Sequence, residues 1–235
     1  MEIKSIGILG GFGPFATLDF FRRFLVRFQS DCDRNYPHII MDNNFEMPSR
    51  TKALLDGTDY EIVVQAMAHS MQLMLQENVE KILMVCGTAH CFLDDVFKIV
   101  PEAESRLIHI VDALGEEMQS HHVEDSVVIA AEGALKHDLY GTRLKKFQIN
   151  CKTPSQTQYP ILRLFIESVK QNKIDDRILQ KFLNFLEGYS SYNVILGCTE
   201  FPVIVHALER HPVLQSQVSK YRFWDPLDAV LNMIK

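Results

Sequence analysis

Short, unbroken apolar runs alternate along this chain with longer stretches in which apolar residues return every three or four positions. The short runs are residues 6–9, 39–41, 82–85, 127–130 and 194–196. A run that is apolar at every position, rather than at alternate ones, has both faces covered, so these predict buried strands of a parallel sheet. Leu18, Phe21, Leu25 and Phe28 fall at helical spacing behind Pro14, a residue suited to the first turn of a helix. Residues 59–78, 159–172 and 175–189 predict further helices. Strand–helix alternation implies right-handed βαβ units and an α/β fold, with no linker-like segment between them.

A second regularity lies on top of the first. Two of the apolar runs end in cysteine with threonine close behind: Ile82-Leu-Met-Val-Cys86-Gly-Thr88 and Val194-Ile-Leu-Gly-Cys198-Thr199-Glu200. Each half of the chain also opens alike. Ile6-Gly-Ile-Leu-Gly-Gly leads into a helix, and so does Val127-Val-Ile-Ala-Ala-Glu-Gly133. The pattern predicts an internal duplication, with one thiol at the carboxyl end of a strand in each half. Ligands of open α/β sheets bind outside those strand ends, so facing halves would set both thiols on one cleft.

Composition narrows the function classes. The 235 residues are 47% hydrophobic and 23% charged, as in an ordinary globular protein with a sizeable core. A net charge of −6 with no long basic block argues against nucleic acid or anionic membrane as a partner. No apolar run is long enough to cross a bilayer, and the N-terminal stretch reads as a first strand and helix rather than a signal peptide. Five sparse cysteines and no Cys-x-x-Cys argue against a disulfide framework and a structural zinc site, and place the expected compartment in the cytoplasm.

A lone buried cysteine is usually an inert hydrophobe, which is the reading for Cys32, Cys91 and Cys151. Cys86 and Cys198 differ, because each precedes a turn that should open a helix, where backbone N–H groups favour a thiolate. Paired thiols suit one chemistry in particular. Inverting a carbon stereocentre takes a hydrogen from one face and returns one to the other, which a thiolate and a thiol on opposite sides do directly. The carbanion needs donors at the α-carboxylate, and Thr88, Thr199 and nearby backbone amides are placed to supply them.

The chain resembles the cofactor-independent aspartate/glutamate racemase family, closest to aspartate racemase. The matching stretches are Ile6-Gly-Ile-Leu-Gly-Gly-Phe-Gly-Pro14, Asn43-Asn-Phe-Glu-Met-Pro-Ser-Arg50-Thr51, Cys86-Gly-Thr-Ala-His90, Leu196-Gly-Cys-Thr-Glu200 and Asp225-Pro226, in order and nearly from end to end. The resemblance implies two pseudo-symmetric α/β lobes, each with a mostly parallel sheet flanked by helices, and an active site in the interlobe cleft. It implies a first lobe of residues 1–113 and 207–235 and a second of 114–206, and often a homodimer. Cys86 and Cys198 would be the acid/base pair, acting on a small acidic amino acid with no cofactor or metal. Arg50 would receive the side-chain carboxylate, a task that suits its planar fork, and Lys170 would be a second contact to it. Gly87, Thr88 and Thr199 would complete the substrate site. For His90 and Glu200, tuning the thiols and capping helix starts both stay open.

This sequence departs from the family at three places. Gly87 stands where Cys-Asn-Thr is usual, and Ala131 and Ala134 replace the two threonines of an Ala-Thr-x-Gly-Thr segment, with loss of α-carboxylate donors. A weak or purely binding relative of the racemases is therefore one alternative. Another is a dinucleotide enzyme, since Gly11-Phe-Gly13-Pro-Phe-Ala16 fits a Gly-x-Gly-x-x-Ala fingerprint with Asp31 or Asp33 as the ribose acid. Pro14 lacks an amide that a pyrophosphate would use, and the paired Cys-Thr runs have no place in that reading.

Overall fold

The computed structural model describes residues 3–234. The first part of the chain runs β1 (Ser5–Leu9), α1 (Pro14–Arg27), β2 (His38–Asp42), α2 (Arg50–Asp56), α3 (Tyr60–Gln76), β3 (Lys81–Met84), α4 (Leu93–Ile99) and α5 (Ile110–Ser120). The second part runs β4 (Asp125–Ile129), α6 (Glu132–Lys136), α7 (Gly141–Leu144), β5 (Asn150–Lys152), α8 (Tyr159–Lys170), α9 (Asp176–Glu187), β6 (Asn193–Leu196), α10 (Phe201–Glu209), α11 (Gln215–Val218), β7 (Arg222–Trp224) and α12 (Pro226–Met233). All five apolar runs are strands; four are buried as their composition predicts, whereas β2, at the edge of its sheet, is only half-buried.

The two sheets repeat one design. Their strand orders are β2-β1-β3 and β5-β4-β6-β7, and every pairing is parallel. β1, β2 and β3 thus correspond to β4, β5 and β6. Even β7 has a vestigial counterpart, because Leu107 makes a single parallel bridge to Ile82 on the outer side of β3. The loops after β3 and β6, which carry Cys86 and Cys198, are therefore equivalent.

Burial follows the pleat. Ile6 and Ile8 of β1 join Phe20 and Phe24 of α1 in a core that continues without a break into the second sheet. Gly7, facing the other way, lets α3 approach so closely that an added Cβ would lie 2.6 Å from the Met74 sulfur. Met67, Met71 and Met74 of α3 fill that second face with Val63 and Ile82.

Two expectations are corrected. The buried face of α1 is Ala16, Thr17, Phe20 and Phe24, whereas Leu18 is 65% exposed and Phe15 and Val26 are also exposed. This helix has apolar residues on more than one side, and only the packing partner selects between the stripes. The segment 207–235 does not return wholly to the first lobe. β7 completes the second sheet against the open edge of β6, with the Trp224 indole N–H donating to Asn193 Oδ1 at 3.1 Å. Only α12 turns back, onto α5 and α1, where Arg23 holds Asp225 at 2.6 Å and Asp228 at 2.9 Å. The outermost positions of the expected first lobe, 1, 2 and 235, lie outside the described residues.

Candidate active site

The carboxyl ends of β3 and β6 open into one cavity of about 410 Å³, and both Cys86 and Cys198 line it. Arg50, Gly87, Thr88, Thr199, Glu200 and Lys170 line the same cavity, so eight of the nine residues singled out by sequence meet there. The ninth, His90, lies behind the wall. Its Nε2 accepts from the Ile110 N–H at 3.3 Å, which leaves Nδ1 to donate to the Cys86 carbonyl at 2.9 Å. Burial holds this imidazole neutral, with a pKa lowered to about 4. His90 thus fixes the main chain of Cys86 rather than touching the cavity.

The two thiols have opposite neighbours. Burial pushes the Cys86 thiol up, while the charge of Arg50 and a hydrogen bond from the Ala89 amide pull it back toward the thiolate. Arg50 opens α2 behind the Ser49 N-cap. Its guanidinium donates to the carbonyls of Phe12 at 2.6 Å and Pro48 at 2.8 Å and lies 5.0 Å over the Phe12 ring. Its buried Nε finds no hydrogen-bond partner, and no carboxylate answers its charge among the described residues.

Cys198 instead donates to Glu200 Oε2 at 2.9 Å, and the Thr199 hydroxyl donates to the same oxygen at 3.2 Å. Burial, then the Glu200 charge, push this thiol well above its ordinary value. Lys170 completes the group. Burial pulls its ammonium down, but Glu200 and Glu167 outweigh that and hold its pKa above the usual lysine value.

Of the replaced family positions, Ala131 lines the cavity, while Ala134 is fully buried in the core. Gly87 has an ordinary right-handed helical backbone, with φ −58° and ψ −53°. What it saves is space, since an added Cβ would lie 2.7 Å from the Tyr140 hydroxyl and 2.8 Å from the Gly197 carbonyl oxygen. Tyr140, which donates to that carbonyl at 3.0 Å, escaped sequence reasoning because no local pattern marks it. Tyr159, Leu162, Arg163, Ile166 and Glu167 were also missed, and for them a signal existed. They precede Lys170 at helical spacing on α8 and form the cavity wall with it. Glu132, at the start of α6, faces Arg163 across the cavity mouth.

At Gly10 and Gly11 the glycine-rich loop is filled by the chain itself rather than open to a dinucleotide. A Cβ on Gly10 would lie 2.3 Å from Asn43 Oδ1, and one on Gly11, at φ +82°, 2.5 Å from the Asn44 carbonyl oxygen. These glycines admit the turn after β2 rather than a pyrophosphate. Among the described residues no His/Cys/Asp/Glu group has the arrangement of a metal site, and no helix is long and apolar enough to cross a membrane.

Comparison with known proteins gives a consistent result. The family model described as "Asp/Glu/Hydantoin racemase" matches residues 9–234. Among solved structures, the chain is similar to an aspartate racemase of Picrophilus torridus, with TM-score 0.80 and 21% identity over 98% of this chain and 92% of that one. It is similar to a glutamate racemase of Francisella tularensis in complex with D-glutamate, with TM-score 0.71 and 17% identity over 100% and 80% of the two chains. An allantoin racemase of Klebsiella pneumoniae also shares the fold, with TM-score 0.54 and 13% identity over 98% and 85%.

Proposed function

Because this chain belongs to the Asp/Glu/hydantoin racemase family, a family of isomerases, we propose that it inverts the α-carbon of a small acidic amino acid without a cofactor, using Cys86 and Cys198 as base and acid. One observation carries the reading: two thiols on equivalent loops of a duplicated fold line a single cavity beside a half-buried arginine with no carboxylate partner among the described residues. Four cationic side chains, Arg50, Lys52, Arg163 and Lys170, stand in that wall against three anionic ones, which supports an anionic substrate despite the acidic chain.

The neighbours of the thiols suggest their resting roles. Cys86, beside Arg50, is the side on which a thiolate forms first. Cys198, bonded to Glu200, keeps its proton. Cys86 then removes the hydrogen of one enantiomer, and Cys198 delivers its own to the opposite face of the carbanion. The reverse direction exchanges the roles. Arg50 and Lys170 take the side-chain carboxylate, and Thr88 with the backbone amides after Cys86 steadies the charge on the α-carboxylate. The reading includes a reducing, cytoplasmic setting, which the five free cysteines suit, and a homodimer.

The test is a chiral assay of purified protein against L- and D-aspartate, L- and D-glutamate and uncharged amino acids, with no pyridoxal phosphate or metal added. Formation of the opposite enantiomer of an acidic amino acid is expected. A panel that yields none, or turnover that depends on an added cofactor, ends this reading.

A further inference from the structure

Resting on the racemase reading above, we propose that Glu132 and Arg163 form the subsite for the amino-acid head group, with the α-ammonium on Glu132 and the α-carboxylate on Arg163. Nothing in the family resemblance assigns either residue. Both line the cavity that holds the thiols, and Arg163 Nη2 donates to Glu132 Oε2 at 2.6 Å.

The need for such a subsite follows from what the wall lacks. Ala131 presents no hydroxyl to the cavity, Ala134 is buried in the core, and the Thr199 hydroxyl already serves Glu200. An α-carboxylate placed between the two loops would therefore meet the Thr88 hydroxyl and the backbone amides after Cys86 but no cation of its own, yet it must absorb the charge that leaves the α-carbon. Arg163 supplies a cation with further N–H donors beyond the one given to Glu132.

The pair also has the right shape for a zwitterion. An α-amino acid carries opposite charges on groups joined through one carbon, and an ion pair lying side by side offers the complementary signs at similar spacing. Glu132 is the fixed member: its side chain is 16% exposed and is held a second time by Lys136 at 3.2 Å. Arg163, at 65%, is free to swing onto the ligand without leaving its partner. Along α8, Arg163 and Lys170 lie on the same cavity face about 10 Å apart along the helix axis. One helix thus presents a cation toward each end of a diacid.

The experiment compares the full-length protein with R163A, R163K and E132Q, each checked for folding by circular dichroism. Racemisation rates are measured with aspartate and glutamate, and calorimetric binding with L-aspartate and with succinate, a diacid without the ammonium. Arg163→Ala is expected to raise KM for the acidic amino acid by about tenfold or more, with kcat falling less, and Arg163→Lys to recover part of it. Glu132→Gln is expected to weaken L-aspartate while leaving succinate unchanged or tighter, a split that a merely structural role would not produce. An active wild type whose KM is unmoved by R163A, or equal weakening of both ligands by E132Q, overturns the subsite alone. A wild type that turns over no acidic amino acid removes the racemase reading, and the subsite with it.

Discussion

Gly87 and Tyr140 occupy one space from opposite lobes: a Cβ on the first would sit 2.7 Å from the hydroxyl of the second. Gly87→Asn, which would restore the family's usual residue, is therefore expected to destabilise the protein by about 1–3 kcal/mol through overpacking and to lower activity. Adding Tyr140→Phe removes only one of the two obstacles, since the Gly197 carbonyl oxygen remains 2.8 Å from that Cβ. Thermal unfolding of the single and double variants measures this. A single variant as stable as the wild type would show that the lobes part more easily than the contact implies.

On the proposed two-thiol mechanism, either thiol alone is expected to be insufficient for inversion. Cys86→Ala and Cys198→Ala should each abolish racemisation. Each should still allow slow exchange of the α-hydrogen with deuterated solvent, from one enantiomer only and the opposite one in the two variants. Nuclear magnetic resonance of the substrate in D₂O reads this directly. Undiminished turnover in either variant refutes the assignment.

The pH profile follows from the two thiols. Both are raised, so the thiolate fraction grows as pH climbs, and kcat/KM is expected to rise from neutral toward alkaline pH. It should fall again once Cys198, held up by burial and then by the Glu200 charge, also loses its proton. Glu200→Gln removes that anion and should lower the Cys198 value, moving the falling limb to lower pH. The thiolate ultraviolet absorbance gives an independent check. An unchanged Cys198 titration would mean that burial alone sets it.

The proposed function gives Arg50 two tasks, and one substitution is expected to separate them. Arg50→Ala should weaken acidic substrates by roughly 1.5–3 kcal/mol more than uncharged ones, the worth of a charge-assisted hydrogen bond. It should also raise the Cys86 pKa, because the cation that favours its thiolate is gone. Competition by uncharged and acidic amino acids against one substrate measures the first effect. Equal losses for alanine and aspartate would assign Arg50 to the thiol alone.

Two enclosed histidines, His90 buried and His109 half-buried, set an acid limit. His90 has a pKa of about 4 and His109 of about 2 in the fold, against 6.5 for the ordinary side chain. As pH falls below about 6.5 the unfolded chain binds these protons first, so stability is full above that value and is lost on the way down. For His90 alone the loss is about 3 kcal/mol by pH 4. Thermal midpoints measured from neutral to pH 4 should decline, and activity should fall with them, because a proton on His90 Nε2 removes the acceptor of the Ile110 N–H beside the Cys86 loop. A flat midpoint across that window contradicts the buried, neutral assignment.

What the sequence by itself determined is local in kind. Apolar runs without alternation located the strands, the matched Cys-Thr endings located the two thiols, and helical spacing before Lys170 already contained the wall of α8. What only the tertiary structure decided depends on residues far apart in the chain. It chose Phe20 and Phe24 over Leu18 and Leu25 as the buried stripe of α1, set β7 on the edge of β6, and placed His90 behind Cys86 rather than in the cavity. It also brought Tyr140 against Gly87 and Arg163 against Glu132. Periodicity and capping act within a few residues of the backbone. Which apolar face is buried, and which charge meets which, is settled by the surface that folds against it.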